Sequence, residues 1–264
     1  MAGLSTVRSA DGTSIAYEAA GSGPPVVLVD GGFGNRGFPN AVADLLAERF
    51  TAVRYDRRGR HDSGDAPDYA PAREVEDLAA VVGAVGGEVA VFGMSSGGVL
   101  ALDAASAGVP MTRLAVYEPP FVVDGTRPPF PEDYADMLAR LVGSGDRAGA
   151  VDLLLVEALG VPAEHLGALR HDPNWPAMLA LAHTLVYDAT LQRGLDRGRP
   201  LPRDRWTITR PVLAIDGAAS PAWARNAVAA LADLLPTARR VSLPGQTHAV
   251  DAAVLVPVLV DFLG

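Results

Sequence analysis

The chain alternates between short apolar runs and longer stretches in which apolar residues recur every three or four positions. Val26 to Val29 and Val89 to Phe92 are continuous apolar runs, the pattern of strands buried on both faces of a parallel sheet. Thr51 to Tyr55, Leu114 to Tyr117, Val212 to Ile215 and Arg239 to Leu243 predict further strands. Near the start, Val7-Arg8 and Ser14 to Tyr17 flank the turn dipeptide Asp11-Gly12, which predicts an opening hairpin. Between strands the period lengthens to that of a helix. Val42, Leu45, Leu46 and Phe50 share one face behind an Asn40 cap, and Val75, Leu78, Ala79 and Val82 share another that Pro71 opens. Gly97 to Ala107, Ala222 to Leu235 and Ala252 to Phe262 predict the other helices of this rhythm. The alternation predicts an α/β fold with a doubly wound, mostly parallel sheet.

The rhythm stops after Glu118. From Pro119 to about Ile208 the patterns are helical, at Tyr134 to Leu141, Ala148 to Leu159 and Ala177 to Leu191. The expectation is one domain over 1–264, with a core of 1–118 and 209–264 and a helical cap at about 119–208 inserted after the strand ending near Tyr117.

Composition removes several chemistries. The chain has no Cys, which excludes disulfides, thiolate metal sites and a cysteine nucleophile. It also has no lysine, so all 22 basic residues are arginine and Schiff-base or phosphate-loop lysines are excluded. A net charge of −9 argues against nucleic-acid or anionic-membrane partners. Met1 to Ala10 lacks a charged segment followed by an apolar run, and no uncharged apolar stretch reaches the roughly 18 residues of a membrane span. The expectation is a cytoplasmic monomer or homodimer.

Gly93-Met94-Ser95-Ser96-Gly97 follows one predicted strand and precedes a predicted helix. A serine hydroxyl is a poor nucleophile unless it is presented sharply and meets a base. The G-x-S-x-G turn presents Ser95 in a strained conformation, and Gly93 and Gly97 let strand and helix pack closely around it. The helix that follows brings its positive end to the developing oxyanion. Ser96 does not fit the pattern, because Met94 stands where a glycine is required. His248 lies in Pro244-Gly245-Gln246-Thr247-His248, the loop after the last predicted strand, where an active-site base belongs. His61, His165 and His171 sit in charged or proline-rich surroundings and read as surface residues.

These residues together resemble the α/β-hydrolase family over nearly the whole chain. The resemblance is carried by the loop Asp30-Gly31-Gly32-Phe33, the segment Tyr55-Asp56-Arg57-Arg58-Gly59-Arg60-His61-Asp62-Ser63, the turn around Ser95, the helical cap and the late His248. It implies an esterase-like serine hydrolase without cofactor or metal, acting on a small acyl compound between sheet and cap. It further implies backbone N–H donors at Gly32 and Ser96 for the oxyanion. Two departures stand out. Asp30 occupies the place of a customary histidine, so its own hydrogen bonds must turn it away from the oxyanion. The slot that commonly carries the triad acid reads Ser220, so the expected acid is Glu118, placed like the acid of some haloalkane dehalogenases, with Asp216 the alternative.

Other readings compete. Gly32-Phe33-Gly34-Asn35-Arg36-Gly37 after a strand, with Asp56 ending the next, matches a dinucleotide fingerprint and an NAD(P)-dependent oxidoreductase. Pro39 opposes it, because the helix then begins past the third glycine. A lyase or cyclase of secondary metabolism on the same fold, and a non-catalytic binding protein, remain alternatives. Phe33, Met94 and His183 are candidate pocket residues, the last on a helical face shared with Tyr187. Trp175, Trp206 and Trp223 read as packing residues.

Overall fold

The computed structural model describes residues 3–37 and 40–264. The opening hairpin forms as β1 (Ser5–Arg8) and β2 (Ser14–Gly21), paired antiparallel. The remaining strands are β3 (Pro25–Val29), β4 (Thr51–Tyr55), β5 (Val89–Met94), β6 (Met111–Tyr117), β7 (Val212–Gly217) and β8 (Ala238–Leu243). They form one sheet in the order β1-β2-β4-β3-β5-β6-β7-β8, antiparallel where β2 meets β1 and β4 and parallel from β4 onward. The expected α/β class and mostly parallel sheet are borne out.

Strand alternation sorts the core into two layers. Val27, Val29, Val91, Val116 and Ala214 face Leu78 and Val81 of α2 (Pro71–Ala84), Leu100 of α3 (Ser96–Ser106) and Leu231 of α9 (Ala222–Leu234). Val26, Leu28, Phe92, Tyr117 and Ile215 face Leu46 of α1 (Ala41–Leu46) and Leu255 and Leu259 of α10 (Ala252–Leu263). The helices α9 (Ala222–Leu234) and α10 (Ala252–Leu263) close the chain. Asn40 does cap α1, its side chain accepting from the Ala43 N–H.

Between β6 and β7 lie α4 (Tyr134–Gly143), α5 (Arg147–Leu153), α6 (Leu166–Leu169), α7 (Trp175–Leu181) and α8 (Leu185–Leu191). They pack a third apolar cluster around Val122, Tyr134, Leu138, Val151 and Leu185. Two single helices expected here are interrupted. Ala182–Thr184 tightens into a 3-10 turn, where the Thr184 hydroxyl donates to the Leu181 carbonyl. Leu154–Ala158 widens into a π-helical turn whose last carbonyls, those of Glu157 and Ala158, accept from the Arg127 guanidinium. The stretch after α8 returns to the sheet, since Leu195, Leu201, Trp206 and Ile208 join the first core layer.

The order in which strands are added reverses at β3, with β4 laid on one side of it and β5 on the other. The crevice beyond the carboxyl ends of β3 and β5 is therefore the sheet's switch point. Glycine lets α3 enter it: a Cβ at Gly97 would lie 2.1 Å from the Val29 carbonyl oxygen. Gly97→Ala is expected to destabilise the fold by about 3 kcal/mol or more, because backbone cannot yield as a side chain can. Gly83→Ala, in a helical position with open space, should instead stabilise by up to about 1 kcal/mol. Urea unfolding of both variants checks the pair.

Candidate active site

Ser95 stands between β5 and α3 with a φ of 55°, a left-handed conformation that costs energy for any side chain with a Cβ. Its N–H donates to the Tyr117 carbonyl at 2.9 Å, so the turn is tied to the neighbouring strand β6. Gly31 packs directly against it, where a Cβ would approach the Ser95 Cβ to 2.8 Å. Ser96 opens α3, and its N–H has no acceptor among the described residues; neither has that of Gly32.

Glu118 follows β6, also in a left-handed conformation, with a φ of 42°. Its Oε2 lies 2.9 Å from His248 Nδ1. Its Oε1 accepts from the Gly217 N–H at 2.9 Å and from the Ser220 hydroxyl at 2.5 Å. Burial raises the pKa of this carboxyl, but the bonds from His248, Ser220 and Gly217 together outweigh burial and hold it below the usual range. The His248 loop is fixed independently, because Tyr117 Oη donates to the Thr247 carbonyl at 2.6 Å. Asp216 is turned to the opposite side, fully buried against Arg240 Nε at 2.7 Å and the Ser242 hydroxyl at 2.6 Å. Of the two carboxylates left open by the sequence, Glu118 is the one that meets His248.

Ser95, Ser96, Gly32, Phe33, Glu118 and His248 line one cavity of about 620 Å³. Ser95 Oγ makes no hydrogen bond to His248 among the described residues; such contacts commonly tighten when substrate binds. Met94 and His183 do not line this cavity, which corrects the sequence-based expectation. Met94 points into the α1/α10 layer of the core. His183 sits on the 3-10 turn rather than a helix and approaches Asp65 to 3.8 Å, while Tyr187 donates to Asp65 and stacks on Tyr69. Trp223 departs from its reading as a packing residue, because it is part of the cavity wall.

The loop after β3 rests on a buried ionic network that sequence reasoning missed. Arg57 grips Glu74 through two bonds at 2.6 and 2.7 Å and reaches Asp188 at 2.8 Å, the Asp30 carbonyl and the Ser96 hydroxyl. Arg60 joins Asp188 at 2.9 Å to the carbonyls of Gly31 and Gly34. Asp188, on α8, thereby ties the helical segment to the loop. Its pKa, raised by burial, is pulled back below the usual value by Arg57 and Arg60. Asp30 is folded against Gly34 and takes a long bond from Asn40. Burial raises its pKa against the attraction of Arg54, Arg60 and Arg57, which favours its uncharged form.

The dinucleotide fingerprint fails on geometry. The segment Gly32 to Gly37 opens no helix, since α1 begins at Ala41, and Pro39 lies outside the described residues. Asp56, the would-be ribose acid, is buried and occupied by the Arg36 N–H at 2.7 Å, Arg36 Nε at 3.1 Å and the Asp62 N–H at 3.2 Å. Asp56, His61 and Asp62 converge within 4.8 Å, but the Arg36 guanidinium already spans the two carboxylates. Asp188→Asn removes the charge that two buried arginines share and is expected to cost about 3–5 kcal/mol of stability. Urea unfolding at neutral pH measures it.

Comparison with known proteins agrees with this architecture. A solved alpha/beta hydrolase from Sphaerobacter thermophilus is 49% identical, with a TM-score of 0.90 over 98% of this chain and 100% of that one. An enol-lactonase from Burkholderia xenovorans superposes with a TM-score of 0.67 at 21% identity, covering 96% of this chain and 97% of its own, a likeness of fold. Among curated proteins, the uncharacterized hydrolase YraK of Bacillus subtilis is 38% identical over 96 residues. That match spans about a third of each chain, 35% of both. The alpha/beta hydrolase family model matches residues 26–257, and the chain belongs to that family.

Proposed function

We propose that the protein is a serine hydrolase that cleaves an ester, lactone or related acyl bond of a small molecule through an acyl-enzyme. The observation that carries this reading is the 2.9 Å contact of Glu118 with His248 on the cavity that Ser95 also lines. Glu118 accepts at Nδ1, so the Nδ1 proton stays in place and Nε2 is left as the base. Nε2 takes the Ser95 proton as Oγ attacks the acyl carbon. The N–H groups of Gly32 and Ser96, which have no other acceptor, hold the oxyanion. His248 then protonates the leaving group, and water repeats the sequence to release the acid.

The cavity suits a largely apolar substrate. Phe130, Leu154, Leu185 and Pro221 contribute to its wall, and Leu159, 61% exposed, stands among its lining residues as a large apolar group left in water. In this reading the segment between β6 and β7 acts as the cap, with α8 and the π-helical turn as its contribution to the pocket.

A fluorophosphonate probe is expected to label Ser95 and leave Ser96 unmodified, as read by peptide mass spectrometry; label on Ser96 would sink the nucleophile assignment. Glu118→Gln should lower kcat on a p-nitrophenyl ester by on the order of 10³–10⁴, and Asp216→Asn by about tenfold or less. Stability gives a second readout. The folded pKa of Glu118 is depressed, so its charge stabilises the fold above the ordinary carboxylate pKa and loses that effect as pH falls through the folded value. Glu118→Gln should accordingly melt below the wild type at neutral pH, with the gap closing in acid.

A further inference from the structure

The carboxylates on the cavity wall each lie against a donor or a cation, whereas the arginine there has no carboxylate partner among the described residues. Asp188 is met by Arg57 and Arg60, Asp196 Oδ1 has Arg197 Nε 3.0 Å away, and Glu118 takes hydrogen bonds from His248, Ser220 and the Gly217 N–H. Arg127 forms no ion pair among the described residues. Its guanidinium is held between two aromatic rings, with Cζ 4.9 Å from the centroid of Phe130 and 4.7 Å from that of Trp223. Two of its five N–H donors reach the carbonyls of Ala158 and Glu157, and the others have no acceptor among the described residues.

Those two carbonyls do not account for a cation. A neutral side chain with two N–H donors would satisfy them, without leaving a positive charge beside an apolar cavity. Burial depresses the Arg127 pKa against the attraction of the Glu157 carboxylate. The rings stabilise the guanidinium and fix its plane, but they do not neutralise it. One fixed fork with donors to spare fits one planar monoanion.

We propose that Arg127 is the subsite for a carboxylate carried by the substrate, so that the preferred substrates are acyl compounds bearing a free acid group beside the bond that is cleaved. This assignment rests on the hydrolase reading for the scissile bond. A phosphate monoester, with close to two charges at neutral pH, would overmatch a lone arginine. The apolar wall between Ser95 and Arg127 would hold the carbon skeleton that joins the two groups.

The test uses matched esters: succinate, glutarate and adipate half-esters of p-nitrophenol, and para-carboxyphenyl butyrate. Each is paired with a neutral analogue in which an isopropyl group replaces the carboxylate. With Ser95→Ala protein, calorimetry should show at least one acid binding about tenfold or more tightly than its neutral partner, the scale of a charge-assisted hydrogen bond. Arg127→Gln, which keeps two N–H donors for the Glu157 and Ala158 carbonyls, should abolish that ratio, and Arg127→Lys should restore part of it. In active protein the ratio of kcat/KM for acid over neutral ester should fall with added salt; this readout needs no variant and decides the matter if Arg127→Gln does not fold. Equal affinity in every pair, or a preference that survives Arg127→Gln, overturns the proposal. The two readings separate cleanly. Turnover of neutral esters without acid preference refutes only the carboxylate subsite, whereas Arg127-dependent acid binding without turnover of any ester refutes only the hydrolase reading.

Discussion

The contact on which the rest depends is the close approach of α3 to the ends of β3 and β5. Gly97 lies against the Val29 and Asp30 carbonyls, and Gly93 against Gly97 and Gly98, at distances no Cβ would allow. With helix and strand pressed together, a single residue must reverse the chain between them, and Ser95 takes the left-handed conformation that does so. The same contact brings the start of α3 beside the loop after β3. Unpaired N–H groups at Gly32 and Ser96 thus end up on one cavity wall with the serine. The sheet's order makes this possible, because the crevice opens where β4 and β5 leave β3 in opposite directions.

A second constraint is the way charge is buried behind that wall. Arg57 serves Glu74, Asp188, the Asp30 carbonyl and the Ser96 hydroxyl at once. A planar fork with donors on three nitrogens can span such a set, whereas an ammonium presents its donors from one point. The chain has arginine at every basic position, and here that composition acquires a structural use. Asp30 stands near a site for negative charge with its side chain folded against Gly34 and Asn40 and arginines attracting it.

Local signals made most of the fold legible. The apolar runs of β3 and β5, the Asn40 cap and Pro71 at the start of α2 each state their element within a few residues. The break at Ala182–Thr184 was not legible, because a hydroxyl takes a carbonyl that a helix would otherwise bond, and the π-helical turn at Leu154–Ala158 ends on carbonyls that an arginine some thirty residues away caps. At the site, Ser95 and His248 were marked by their places in the strand–helix order. Sequence position favours Glu118 over Asp216 without deciding between them, because each simply follows or ends a strand; what separates them is the direction of a side chain. Ser220 was read as a slot missing its carboxylate. In three dimensions its hydroxyl donates to the carboxylate that does reach His248. The pairing of Arg57 and Arg60 with Asp188 joins residues about 130 positions apart and leaves no local pattern to find.

Net charge is the point on which composition and site reasoning differ most, and the reason is one of range. A balance of −9 describes the field over the whole surface, which opposes an extended polyanion that must meet many residues at once. Between exposed charges that field decays within about 8 Å at physiological ionic strength. Inside a cavity walled by low-dielectric side chains, a charge is set by its nearest partners, and there the balance is local. Asp188 and Asp196 each lie against arginine, Glu118 takes hydrogen bonds from His248, Ser220 and the Gly217 N–H, and the Arg127 guanidinium lies against aromatic rings and carbonyl oxygens with no ion pair among the described residues. An acidic protein can therefore present a locally cationic surface to one small molecule. The composition that argues against nucleic acid places no limit on a monoanion small enough to enter the cavity.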